Sequence, residues 1–456
     1  MLELVSKLLN NENQAEQPNI QPKNYDVNTA SKFVQKWLAD ANNSEWIEIY
    51  QEALSGRKDK QKEYVDIVLT LLNREMVTVD GMSQKEAAKE IVKLHCSLEE
   101  IEPFYADPAV DEVRVAPGGR VCLTKRGKHQ RTDIYLSDDK ITRLIERLTP
   151  YSDTGVSLDE SNPNMGLVRP DGYRLTAFCN PITKTHCFAL RKLGNIELSP
   201  ENFIKMHTFD KKVWNILSLF ARSRRNILVC GGVNSGKTTL IQMLVGELHP
   251  NLAIRVLDID NELRISELYP DRDIWELEAH PEVKADLSSL FAQILRISPD
   301  VIIVPEFRGI GETWITIEAC TRGHEGSMAS AHFTSLASAE EVVRNIGMLA
   351  IQEGVRLPLD AVTQRVAQAF QIIVQTFSDT IQGVKKITAI SEVVPGKDSI
   401  SVNPLVKWYP YTENFVGPGE WKVLNLPTPK CCEDMRVFGI PLEEIKNVFQ
   451  GKGCEE

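Results

Sequence analysis

From about residue 29 to residue 97, apolar side chains recur at steps of three and four: Phe33, Trp37, Trp46, Ile49 and Tyr50, then Val65, Ile67, Val68, Leu71 and Leu72. That spacing places them on one face of a helix and predicts a small helical module. The stretch before it, NENQAEQPNIQPKNYDVN at 11–28, is rich in Asn, Gln and Pro, and predicts a flexible lead over residues 1–28. Between 98 and 195 the period changes. Val113–Val115, Arg120–Leu123 and Asp133–Leu136 read as strands, with Gly118-Gly119 turning between the first two. Ile141, Leu144, Ile145 and Leu148 predict a helix over about 138–149, and Pro170-Asp171-Gly172 marks a turn between further strands. These elements predict an α+β domain over 98–195.

Residues 196–206 read as a linker that enters a helix. Thereafter strands at 226–230, 254–259 and 301–304 alternate with helices that start at Gly236 and run over about 284–297 and 311–321. Such alternation implies α/β architecture, a parallel sheet covered by helices, here over 207–395. Residues 396–456 read as a C-terminal extension, strand-like at first and ending in a short helix near 441–450. The chain has no internal repeat.

With 456 residues, 42% hydrophobic and 25% charged, this is the composition of a multi-domain globular protein. The net charge of −11 argues against a general nucleic-acid coat, which needs clustered Lys and Arg. Nine cysteines without a CxxC argue against a disulfide framework or a four-cysteine zinc knuckle, and fit reduced thiols. The N-terminus MLELVSKLLNNENQ carries no signal-peptide pattern. No apolar run reaches the roughly 18 residues that would span a bilayer, so membrane association is expected only through a partner.

The chemistry concentrates at Gly231-Gly232-Val233-Asn234-Ser235-Gly236-Lys237-Thr238, which fits G-x-x-x-x-G-K-[ST]. The motif comes directly after the apolar strand Ile227–Cys230 and opens a helix at Thr239, the context that makes it a phosphate loop. Loop and helix N–H groups face the phosphates, Lys237 reaches the β and γ oxygens, and Thr238 offers a hydroxyl to Mg²⁺. Hydrolysis also needs carboxylates. Two strand ends supply them: Asp258, Asp260 and Glu262 after one, and Glu306 after Val301-Ile302-Ile303-Val304-Pro305. Ligands bind at the carboxyl ends of such strands, so these acids can converge on the phosphates.

These boxes, in this order, resemble the ATPase superfamily of type II and type IV secretion and type IV pili. The boxes are Walker A at 231–238, an acidic box at 258–262, the Walker B region RISPDVIIVPEFR at 296–308 and a histidine box at 323–332. The upstream stretches IEPFYADPAVDEVRV, LDESNP, RPDGYRL and ALRK are similar to the CpaF-type branch, which drives tight-adherence (Flp-type) pilus assembly. So are VRLPLDAV, ITAISEVV and the tail GPGEWKVLNLPTPKCCEDMRVFGIPLEEI. The resemblance implies a homohexamer of RecA-like motor domains, each with a PAS-like N-terminal domain hinged over bound ATP, working on an inner-membrane platform protein from the cytoplasmic side. It implies that Glu306 handles the attacking water or Mg²⁺, that Glu262 is the acidic-box glutamate, and that His332 lies nearest the γ-phosphate, with His324 at the start of its box. It also implies that Arg174 and Arg191 contact nucleotide as bidentate cations. The chain departs from the family at Asp258-Ile259-Asp260, where an adjacent Glu-Asp pair is usual, and at Pro305, where Gly is usual.

The histidine box GHEGSMASAH keeps three readings open. Cys320, His324 and His332 could hold zinc, although Gly323 predicts that the helix carrying Cys320 stops before His324. The histidines could instead be buried and satisfied, or they could sense the nucleotide. At the level of function, a nucleic-acid translocase and a nucleotide-gated scaffold with little turnover stand beside the secretion motor.

Overall fold

The computed structural model describes residues 23–451 except 39–43, 55, 150–157, 170–171, 193–197, 259–262, 281–284, 308–310, 335–336 and 398. The chain divides into two compact units, Met1–Asn195 and Ile196–Glu456. Most of the flexible lead expected over 1–28 lies outside the described residues.

The first unit opens with β1 (Lys23–Tyr25), α1 (Val27–Leu38), α2 (Ser44–Leu54), α3 (Lys58–Arg74), β2 (Val77–Val79) and α4 (Gln84–Cys96). Helix α3 buries Tyr64, Ile67, Val68, Leu71 and Leu72, the stripe that its three- and four-residue spacing predicts. Helix α4 starts at a capping box, Ser83 with Glu86, which satisfies two backbone donors. The predicted module has one addition: β1 and β2 pair in parallel.

A short helix α5 (Glu102–Ala106) leads into β3 (Val110–Val115), β4 (Arg120–Lys125), β5 (Lys128–Tyr135), α6 (Asp138–Leu148), β6 (Asn164–Val168), β7 (Tyr173–Phe178) and β8 (Cys187–Lys192). These strands form one antiparallel sheet in the order β5-β4-β3-β8-β7-β6. Helix α6 lays Ile141, Leu144, Ile145 and Leu148 into its core. This is the α+β domain expected from the alternating runs.

The second unit contains α7 (Pro200–Lys205), α8 (Lys211–Arg222), β9 (Ile227–Gly231), α9 (Lys237–Glu247), β10 (Ile254–Asp258), α10 (Ile265–Leu268), β11 (Ile274–Glu278) and α11 (Leu287–Ile294). It continues through β12 (Val301–Phe307), α12 (Thr313–Ala319), β13 (Met328–His332), α13 (Ala339–Gln352), α14 (Leu359–Ala369) and β14 (Ile372–Asp379). It closes with β15 (Val384–Pro395), β16 (Ile400–Pro410), β17 (Gly419–Val423), α15 (Pro429–Val437) and α16 (Leu442–Gln450). The strands make one sheet, β11-β10-β12-β13-β9-β14-β15-β16-β17, parallel as far as β14 and antiparallel beyond it. An apolar cluster covers each face, which is why β9 and residues 301–304 of β12 read as unbroken apolar runs rather than alternating ones. The result is the α/β architecture, a parallel sheet covered by helices, that the alternation of strands and helices implied.

Two expected boundaries dissolve. The linker expected over 196–206 contains α7, whose Phe203 is buried in the core of the second unit. The extension expected from 396 is no separate piece: β15 runs to Pro395 and pairs directly with β16. The tail then returns to α8, where Phe220 meets Phe449 edge to face and Arg222 pairs with Glu444 at 2.7 Å.

In the helical module, His95 is 2% exposed. Its Nδ1 accepts from the Tyr64 hydroxyl at 2.7 Å, and its Nε2–H faces Ser31 Oγ at 2.8 Å. Burial pushes its pKa down to about 4. The unfolded chain therefore takes up the proton first, and stability is lost as pH falls from about 6.5 towards 4, by roughly 3 kcal/mol. Hydrogen exchange in α3 should speed up across that window in the native protein and change much less in a His95→Gln variant. Equal acid sensitivity in both would show that another group dominates.

Candidate functional site

Every strand that carries site chemistry ends at the same edge of the sheet. β9 lies between β13 and β14 in register, so Gly231 faces His332 on one side and Thr376 on the other. A Cβ at Gly231 would lie 2.3 Å from Thr376 Oγ1 and 2.4 Å from its carbonyl oxygen, so only glycine fits. At the far end of the loop, Gly236 turns into α9 with φ 89, a left-handed conformation that glycine adopts without strain.

Between them Gly232 is half-buried, Val233 is exposed, Asn234 is left-handed (φ 59) and Ser235 is buried. Ser235 Oγ donates to Gly232 O at 2.8 Å, folding the loop on itself. Thr238 and Thr239 stand in the first turn of α9, both half-buried. That helix aims its N–H groups and positive dipole end at the loop. Its other end is closed by Arg272, whose guanidinium donates to the carbonyls of Val245, Leu248 and Gly246 at 2.7, 3.0 and 2.8 Å.

Lys237 folds back beneath the loop. It is 6% exposed, and its Nζ donates to Gly232 O at 3.0 Å and to Gly231 O at 3.3 Å. It also lies 3.2 Å from His332 Nδ1. An ammonium can only donate, so Nδ1 is the accepting nitrogen and the ring proton sits on Nε2. That Nε2 meets the Glu306 carboxylate. Lys237, the neutral His332 imidazole and Glu306 thus form one polar chain in which each proton position is set by its neighbour.

The departure at Pro305 has a structural consequence. Between Val304 and Phe307 the β12–β13 register slips, so Pro305 and Glu306 together oppose the single residue Ser330. Proline has no N–H for the ladder, and a bulge at this point re-aims the next side chain. The Ser330 hydroxyl donates to the Pro305 carbonyl, and Glu306 comes to His332.

Asp258 closes β10 on the same edge, two strands from His332. It is buried, and its Oδ2 accepts the Leu263 N–H at 3.3 Å. Asp260 and Glu262 lie outside the described residues.

The structure does not bring His324 to the loop. It precedes β13 at the amino end, a strand length of roughly 13 Å from the His332 end. Its Nδ1–H donates to Pro299 O at 3.0 Å, and burial lowers its pKa. The reason is β13 itself: a strand, rather than a loop, separates the two histidines. Cys320 caps α12 in the core, and burial pushes its thiol pKa well above the usual value. The zinc set Cys320-His324-His332 is therefore not assembled, and no three potential ligands gather anywhere among the described residues.

In the first unit, Arg174 on β7 and Arg191 on β8 are direct cross-strand partners. Like charges so placed repel one another, and an anion shared between them would remove that cost.

Sequence reasoning missed β14. Thr376 Oγ1 is within 2.7 Å of Ser235 Oγ and 3.1 Å of Cys230 O, and Ser378 Oγ donates to Val233 O at 3.0 Å. They strut the loop from two residues apart on one strand face, and hydroxyls at that spacing carry no motif. Beside the loop, Phe203, Met206, Phe209, Leu240, Met243 and Ile387 line an apolar hollow, with Ser235 and Thr239 at its wall.

A model of the family described as "Type II/IV secretion system protein" matches residues 116–391. An uncharacterised protein of Methanocaldococcus jannaschii is 24% identical over 333 residues, covering 70% of this chain and 57% of that protein. The type IV secretion system protein VirB11 of Brucella abortus is 23% identical over 338 residues, covering 67% of this chain and 91% of that protein. Among solved structures, the pilus retraction motor PilT with bound ADP aligns with TM-score 0.43 at 16% identity, covering 78% of this chain and 89% of that one. This chain spans 57% and 32% of the lengths of two Methanocaldococcus jannaschii proteins that it matches.

Thr376→Val keeps the shape of the strut and removes its hydroxyl. Fluorescent-nucleotide titration should show binding weakened by about threefold to tenfold, the loss of one or two buried hydrogen bonds. Unchanged affinity would mean that β14 does not set the loop.

Proposed function

The chain belongs to the type II/IV secretion system protein family, and we propose that it is a motor ATPase of a pilus-assembly or protein-export machine. The observation that carries this reading is the polar chain Lys237–His332–Glu306 beneath the phosphate loop. In it, the lysine that the motif assigns to the phosphates and the carboxylate that hydrolysis needs are joined through one imidazole. Glu306 orients the attacking water. His332 holds that carboxylate and reports on Lys237. When a γ-phosphate draws Lys237 off the Gly231 and Gly232 carbonyls, His332 loses or remakes its bond, and the carboxyl end of β13 transmits the change towards α13.

ATP fits the loop through its backbone N–H groups, and the apolar hollow suits a purine ring. Mg²⁺ would be held by the Thr238 hydroxyl and Glu306, with Asp258 and the acidic box, including Glu262, in support. Arg174 and Arg191, aligned across two strands, supply cations to the nucleotide from the N-terminal domain or from a neighbouring subunit. The working form is a homohexamer, the branch is the CpaF type, and the partner is an inner-membrane platform protein. No described helix is long and apolar enough to cross a membrane. The proposed motor works from the cytoplasmic side, attached through that partner. The second reading, a nucleic-acid translocase, rests on the RecA-like sheet. The net charge of −11 counts against it.

Steady-state ATPase assays across protein concentration, with mass photometry on the same samples, test the proposal. Activity should rise with ring formation and be indifferent to DNA. Glu306→Gln should retain ATP binding and lose at least a hundredfold in turnover, on the order of a positioned catalytic group. Turnover that appears only with DNA, or survives in the Gln variant, would overturn the reading.

A further inference from the structure

The β14–β15 hairpin touches the phosphate loop in more places than its two hydroxyl struts. In its antiparallel register Ser378 stands opposite Lys385. Ser378 fastens the hairpin to Val233, at the tip of the loop. Lys385 crosses to the other end of the loop and lines the hollow there together with Ser235, Gly236 and Thr239. Its Cδ lies 3.9 Å from where a Cβ of Gly236 would be, so the lysine stem passes over the bare backbone of the turn that opens α9.

The position along the loop decides what this lysine can do. Lys237, His332 and Glu306 mark the end where the terminal phosphate sits. Thr239 and the apolar hollow mark the opposite end, where the sugar and base enter. In this motif the loop's N–H groups cradle the α and β phosphates. A second ammonium on the base side of Gly236 therefore faces the α-phosphate. We propose that Lys385 is a nucleotide-binding residue that holds the α-phosphate while Lys237 holds the terminal ones. This rests on the nucleotide-site reading above and adds to it a cation supplied by a strand far from every phosphate-loop motif.

A contact to the α-phosphate is the same in ATP and ADP, because both carry that group. Loss of the ammonium should thus weaken both nucleotides alike and fall on KM rather than kcat. The test is titration of fluorescent ATP and fluorescent ADP against the full chain and its Lys385→Gln and Lys385→Arg variants, with thermal melts in the absence of nucleotide.

Lys385→Gln should raise Kd for both nucleotides by about tenfold, the size of one charge-assisted hydrogen bond. Lys385→Arg should restore most of it, and the nucleotide-free melting temperatures should agree. Weakening of ATP alone would place the lysine at the terminal phosphate and overturn the proposal. So would unchanged Kd, or a loss that Arg does not recover. If the unsubstituted chain binds neither nucleotide, the site reading fails first and this inference with it. If it binds both and Lys385→Gln does too, the site stands and only the role of Lys385 falls.

Discussion

One row across the sheet sets the rest: His332, Gly231 and Thr376, side by side on β13, β9 and β14. The parallel register brings them level, and the missing Cβ of Gly231 lets Thr376 come within bonding distance of Ser235 and the Cys230 carbonyl. A backbone held that closely on both sides cannot sag, so the loop keeps its shape with only short contacts of its own. Lys237, drawn under it, then has a fixed place from which to meet His332.

From that row the chemistry extends outwards by one strand at a time. β12 adds Glu306, and it does so through an irregularity. The bulge at Pro305–Glu306 breaks the strand alternation where an acid must turn towards the histidine. Pro305, which has no N–H to give, falls within this break in the ladder, and its carbonyl accepts from the Ser330 hydroxyl instead. On the other side β14 adds its two hydroxyls, and β15, β16 and β17 pair in turn beyond it. Lys386 is packed 3.6 Å over Trp408 and 4.9 Å over Trp421, and donates to His207 O at 3.2 Å. Burial brings its pKa down to about 8. The C-terminal strands are thus tied to the turn after α7 that forms one wall of the apolar hollow.

The amphipathic helices, the α+β sheet and the parallel strands arise from local periodicity, and the phosphate loop from a contiguous motif between a strand and a helix. These were legible because each is decided by residues within a few positions of one another. α3 buries the stripe its sequence shows, and β9 and residues 301–304 of β12 are apolar throughout because both faces are covered. The motif itself determines that Lys237 and Thr238 begin a helix whose N–H groups face an anion.

What the sequence could not determine is whatever depends on register between distant strands. His324 and His332 share one box of ten residues, yet β13 runs between them and sends them to opposite edges of the sheet. Arg174 and Arg191 lie 17 residues apart and become neighbours because β7 and β8 pair antiparallel. Thr376, Ser378 and Lys385 carry no motif, since a hydroxyl or an ammonium on a strand gains its role from the loop it happens to abut. Sequence decided the elements and the phosphate loop, through short-range sterics and periodicity. Only the tertiary structure decided which side chains reach that loop, because strand pairing sets distance independently of separation along the chain.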